Sequence, residues 1–237
     1  MMSPDDRTPE NLPVFDSSGM SRVLVVVAHP DDAEYGLSCA VNRWTRSGIE
    51  VSYLLLTHGE AGIRTMHPSE AGPVRAEEQR RACAAVGVSD LAILDHPDGM
   101  MEPSMQLRRD IAERIRIVQP DTVVTANFDV EAYGGFNQAD HRVAGLAAVD
   151  AVSAADNPWV FTDLELKPHK VSRILIHGAA APTHRIELEE EDVQAGITSL
   201  AAHEAYFEAL PDHPKPEPFI RSMVEPHGLM IRVQDLR

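Results

Sequence analysis

Apolar positions along this chain follow two rhythms. The run Val23 to Ala28 is β-branched, continuous and free of polar alternation, which predicts a strand buried on both faces, as in a parallel sheet. Directly after it, Leu37, Ala40, Val41 and Trp44 recur at helical spacing. The alternation repeats. Strands are predicted at 51–57, 91–94, 122–126 and 171–176, with a short one at 186–188. Helices are predicted at 74–86, from a Ser104 cap through Leu107, Ile111, Ile115 and Val118 to a stop at Pro120, at 139–155, and at 190–210.

Strand–helix alternation of this kind gives βαβ units. The expected fold is therefore α/β: a single Rossmann-like domain over 21–237, with a mostly parallel sheet and helices on both faces. Two stretches are too long to be plain connections, 58–73 and 127–138, and both are candidate functional loops. The Pro-rich stretch 211–218 leads into a last apolar segment, 229–233.

The formal net charge of −16 argues against nucleic acid and against anionic membrane surfaces, both of which attract basic patches. No apolar run approaches the length of a spanning helix, so a soluble protein is expected. With only two cysteines, Cys39 and Cys83, both in predicted helices, the expectation is a reduced cytoplasmic compartment and small core residues. Residues 1–20 are polar and lack the apolar core of a signal peptide. They are expected to form a flexible extension.

The first strand ends in Ala28-His29-Pro30-Asp31-Asp32, at a strand-to-helix turn where open α/β sheets bind ligands. His29 and Asp32 stand three apart, so their side chains can converge, and both are ordinary zinc ligands. A catalytic zinc takes about three protein ligands. His141 is the best third candidate, because it opens the helix after another strand, on the same sheet edge if the strands are parallel. Two other readings fit the spacing: paired aspartates capping a helix, and the acidic pair of a magnesium-holding receiver domain. The receiver reading needs an aspartate after a middle strand and a lysine after a later one. Asp95 supplies the first, but Lys167 and Lys170 precede the later strand. Asp140, beside His141, either fixes the tautomer of a metal-bound histidine or caps its own helix.

Ala28-His29-Pro30-Asp31-Asp32 followed by Asp140-His141-Arg142 resembles the PIG-L/LmbE-like family of zinc-dependent N-deacetylases. The stretches 56–62, 75–78, 97–99 and 200–203 are similar too, so the likeness spans about 22–210. It implies His29, Asp32 and His141 as ligands of one zinc ion and Asp31 as the general base acting on a water at the metal. Arg75 and Asp98 match positions that face the substrate. His58, within a family-like stretch, is a further substrate-binding candidate. The second motif departs from the family pattern. Gln138 stands where the family has a histidine that assists the oxyanion and the departing amine, and glutamine can donate a hydrogen bond but cannot give up a proton. The implied substrate is a small-molecule N-acyl amino sugar or glycoside, and the implied assembly a homo-oligomer. Two alternatives stay open: an amidase acting on a larger acyl group, and a metal-containing sugar-binding protein without turnover.

Overall fold

The computed structural model describes residues 9–236. The strand β1 (Arg22–Val27) is followed by α1 (Leu37–Arg46), β2 (Glu50–Leu55), α2 (Pro68–Ala85), β3 (Asp90–Ile93), α3 (Met105–Val118) and β4 (Thr122–Ala126). A small hairpin, β5 (Glu131–Ala132) and β6 (Gly135–Phe136), leads to α4 (Ala139–Asp156). The chain closes with β7 (Arg173–His177), β8 (His184–Ile186), α5 (Glu190–Ala201), α6 (Glu204–Glu208), α7 (Pro216–Val224) and β9 (Leu229–Asp235).

Seven strands form one sheet in the order β3-β2-β1-β4-β7-β9-β8. The first five are mutually parallel, and β9 runs antiparallel to both β7 and β8. The expected α/β class with a mostly parallel sheet is therefore what forms. Along β1, Val23, Val25 and Val27 enter one core with α1, α2, α5 and α7, while Leu24 and Val26 enter the other with α3 and α4. This is why the strand has no polar alternation: both faces are covered, and each fully buried Val or Leu side chain is worth roughly 1.5–3 kcal/mol. Because β1 pairs with β2 on one side and β4 on the other, the strand order reverses at β1. The crevice outside the carboxyl ends of β1 and β4 is the place where such sheets bind ligands.

Four expectations are corrected. Residues 9–20 are packed instead of loose: Phe15 and Met20 are core residues, and the Phe15 amide donates to the Arg185 carbonyl at 2.8 Å. Residues 1–8 of the expected extension lie outside the described part. Helix α2 starts at Pro68, six residues before the predicted 74, with the His67 ring accepting from the Ser69 amide and proline at the first helical position. Pro73 removes one helical bond there, but burial of Ala71, Gly72, Arg75 and Ala76 carries the helix through it. The predicted single helix 190–210 breaks at His203, whose side chain turns inward beside Glu34, while the Glu78 carboxylate accepts the Ala205 amide at 2.6 Å. Finally, the Pro-rich stretch contains α7, again with proline in its first turn.

Candidate metal centre and substrate cavity

The chain leaves β1 at Val27 and reverses through a run of turns before α1, and Asp31 sits there with φ at +91°, a conformation rare for anything but glycine. Strain of this kind persists only where the surroundings over-determine it. Here they do: the Asp31 amide donates to Gln79 Oε1 at 3.1 Å, and the Arg75 guanidinium donates to the Pro30 carbonyl on one side and the Gly59 carbonyl on the other. The reversal brings His29, Asp31 and Asp32 onto one wall.

The opposite wall comes from α4. His141 Nε2 lies 3.0 Å from Asp32 Oδ1, and ligand atoms of His29, Asp32 and His141 lie within 4.8 Å of one another. His29 Nε2 faces away from this cluster, 3.0 Å from Asp98 Oδ1 and 3.3 Å from Asp140 Oδ2. That leaves Nδ1, 3.6 Å from Asp32 Oδ2, as the free nitrogen on the cluster side. His141 is oriented in the same way by a residue that sequence reasoning missed: Asn137 Oδ1 lies 3.1 Å from Nδ1, which turns Nε2 toward Asp32. Asn137 is itself held by the carbonyls of Asn127 and Asp129. The available signal was its position four residues before His141.

The electrostatics agree with a site built for a cation. Burial disfavours charge on His29, yet Asp32, Asp140 and Asp98 outweigh it and hold the ring well above the usual histidine value. Burial likewise opposes charge on His141, and Asp32 overcomes it. Asp32 is held well below the usual carboxylate range by the two histidines, against its own burial. A positive charge is therefore favoured between these side chains, carried by protons or by a metal. Two nitrogens and a carboxylate at this spacing fit a divalent ion such as zinc, with carboxylates on the outer nitrogen of one histidine and an amide oxygen on the other.

Asp31 stands beside the cluster with a different balance. Burial raises it to about 6, against the pull of Arg75, and the neighbouring Asp32 adds to the rise. Arg75 Nη2 is 3.1 Å from Asp31 Oδ2, and the guanidinium stacks 4.2 Å from the Tyr206 ring centroid.

A cavity of about 850 Å³ opens over the cluster. Asp31, Asp32, His29 and His141 line its floor, and Gln138, Tyr133 and His177 one side. Tyr35, Tyr206, His213 and Phe219 form an aromatic wall supplied by α1's lead-in and the C-terminal segments. Those aromatic residues carried no sequence signal, since nothing local predicts that 206–219 folds back over Tyr35.

Of the three expected substrate contacts, Arg75 and Asp98 line the cavity and His58 does not. Its backbone turns at Gly59 (φ +63°), the ring lies over Gly72, and Nε2 is 3.1 Å from Asp95 Oδ1. Arg75 reaches the cavity edge but is 2% exposed, and its terminal nitrogens go to the Pro30 and Gly59 carbonyls and to Asp31. A β-carbon at Gly59 would run into that guanidinium, so this glycine is required by the close approach. Asp98 has both oxygens engaged by protein, one with His29 and the other accepting the Ala61 amide at 2.7 Å. Both residues nonetheless line the cavity, as the family resemblance implies. Asp140 contacts His29 and accepts the Gly99 and Met101 amides, so it supports the histidine and does not cap its own helix.

The fold and this corner together define an α/β protein with a candidate metal centre at its topological switch point. The PIG-L profile, described as GlcNAc-PI de-N-acetylase, matches residues 24–152, just over half of the chain. The chain is 30% identical over 193 residues to the diacetylchitobiose deacetylase of Thermococcus kodakarensis, covering 79% of this chain and 71% of that protein. It is 32% identical over 170 residues to the 1D-myo-inositol 2-acetamido-2-deoxy-alpha-D-glucopyranoside deacetylase of Geodermatophilus obscurus, covering 60% of this chain and 56% of the relative. Among solved structures, the N,N'-diacetylchitobiose deacetylase of Pyrococcus horikoshii superposes with a TM-score of 0.82 at 22% identity, over 93% of this chain and 88% of that one. The chain belongs to the PIG-L family.

Proposed function

We propose that this chain is a zinc-dependent N-deacetylase acting on a small molecule that contains N-acetylglucosamine. The observation that carries the reading is the convergence of His29, Asp32 and His141 on one point, with the buried carboxylate Asp31 beside it, at the floor of the cavity. The named activities of the relatives give the substrate class. In this reading His29 Nδ1, Asp32 and His141 Nε2 hold the metal. When bound, the metal supplies Lewis-acid polarisation of the acyl carbonyl and lowers the pKa of a water beside it.

Asp31 accepts a proton from the attacking water. A carboxylate near 6 is ionised at neutral pH, yet basic enough to take that proton and return it to the departing amine. Arg75 holds Asp31 in place and keeps it ionised. Asp98, Asp140 and Asn137 orient the two histidines. A cavity of about 850 Å³ lies toward the upper end of the roughly 300–1,000 Å³ common for small-molecule sites, which suits a glycoside better than a lone monosaccharide. The aromatic wall gives the apolar face of a sugar ring a surface to stack on.

The test is metal content by elemental analysis, paired with amine release from N-acetylglucosamine and N,N'-diacetylchitobiose. About one zinc per chain with amine release in the wild type, and loss of both in His141→Ala, is the expected result. A metal-loaded wild type that releases no amine from either would favour the binding-protein alternative, and a chain that takes up no metal would sink the reading.

A further inference from the structure

Four histidines line the cavity: His29, His141, His177 and His213. Three of them are spoken for. His29 meets Asp98 and Asp140, His141 meets Asn137, and His213 meets the Tyr35 hydroxyl at 3.1 Å. His177 is 4% exposed, and its Nε2 is buried with no hydrogen-bond partner among the described residues. A buried polar group without a partner costs roughly 1–3 kcal/mol. Such a group at the wall of a cavity calls for an explanation in terms of what enters the cavity.

Its placement is built. His177 is the last residue of β7, paired in register with Ala126 at the end of β4, so it occupies the same sheet edge as His29 and His141. Asn127 Nδ2 donates to the Gly178 carbonyl at 3.1 Å, tying the exit of β4 to the residue after His177. Gly178 (φ +68°) allows the Tyr133 hydroxyl to close against that turn, where a β-carbon would stand only 2.7 Å from the oxygen. His177 ends β7 and lines the same cavity as Gln138, whereas Asp31 follows β1 and Arg75 lies on α2, after β2. Burial also keeps the ring neutral, so it can donate a hydrogen bond but does not act as a proton source.

We infer that His177 is a further catalytic residue, donating a ring N–H to the acyl oxygen of the substrate as the carbonyl becomes tetrahedral. The inference rests on the amide-hydrolase reading above and deepens it. The water oxygen bonds to the acyl carbon while one of its protons passes to Asp31, and the C=O π pair moves onto the acyl oxygen, which accepts the His177 hydrogen bond without taking the proton. The pair then returns, the C–N bond breaks, and the proton on Asp31 goes to the leaving nitrogen. The products are a carboxylic acid and an amine, with His177 unchanged. This gives the chain a buried donor lining the same cavity as the exposed Gln138.

The experiment compares wild type, His177→Phe, His177→Leu and His177→Gln as metal-loaded proteins. It reads kcat and KM for amine release from N,N'-diacetylchitobiose, metal content, and calorimetric affinity for methylphosphonate, a tetrahedral anion that mimics the developing oxygen charge. His177→Phe is expected to lower kcat about 100- to 1,000-fold, as removing one oxyanion donor does, with KM and metal content unchanged. Methylphosphonate is expected to bind it about 10- to 100-fold more weakly. His177→Gln, which keeps a neutral donor, recovers at least part of both losses and decides the matter if the Phe variant fails to fold. Wild-type kcat in either His177→Phe or a non-donating His177→Leu overturns the inference, as does a kcat loss matched by metal loss in both variants. A wild type that releases no amine defeats the underlying reading, and is told apart by needing no variant.

Discussion

The two sides of the cavity floor are built on opposite plans. On the β1–β2 side every functional group is held by others. Arg75 is locked between two carbonyls and Asp31, Asp98 and Asp140 share His29 Nε2, and Gln79 links the Asp31 amide to Glu34. On the β4–β7 side His141 is wired through Asn137, but two groups lining the cavity are not tied in this way. Gln138 is exposed and has no side-chain cap bond, and His177 Nε2 has no partner among the described residues. The contrast has a physical basis. Groups that hold a metal and a proton must keep one geometry through the reaction, and wiring them together fixes it in advance. Groups that meet the substrate must keep unused hydrogen-bonding capacity until it arrives.

Breaking the wired side should have the larger effects. Asp31→Asn is expected to lower turnover about 100- to 10,000-fold while metal content stays at the wild-type level; loss of metal would show that Asp31 is a ligand instead of a base. The pH profile sharpens this. Because the carboxylate must be ionised to accept a proton and burial raises it to about 6, wild-type kcat should fall about tenfold per pH unit on the acid side, from an inflection at or below about 6. A profile flat down to pH 4 would remove Asp31 from that role. Next in size, Asp98→Asn should weaken metal affinity about 10- to 100-fold, measured by competition with a chelator, because His29 Nε2 loses its charged partner. An unchanged affinity would return Asp98 to the substrate. On the free side, Gln138→Ala should lower kcat by less than about tenfold with no change in metal content, an exposed side chain being a weak donor in water. A drop as large as that of His177→Phe would mean that the two sides are not so different.

Much of this is legible in the sequence. The doubly buried run of β1, the Ser104 cap, which accepts the Leu107 amide at 3.1 Å, and the 122–126 strand follow from local pattern alone. So does the idea that His29, Asp32 and His141 could meet, because parallel strands put their carboxyl ends on one edge. The misread elements share a cause. The segment 58–73 reads as a loop and 211–218 as a Pro-rich lead-in, whereas Pro68 and Pro216 open helices, where proline is well suited, and burial carries α2 past Pro73. The helix expected over 190–210 breaks at His203, whose buried ring lies 3.7 Å from Glu34, far away in sequence.

What the chain order determined by itself is therefore the set of elements, the sheet edge on which the chemistry gathers, and the residue types able to hold a metal there. Those depend on hydrophobic period and on spacing within a few residues. What only the tertiary structure decided is how each charge is used. Arg75, Asp98 and His58 look alike in sequence, as polar residues near a pocket. Yet one is locked to the backbone, one supports His29, and one points toward Asp95 at the surface. The energy of a charged or polar group is set by the partners within a few ångströms of it, and those partners come from segments tens to more than a hundred residues apart.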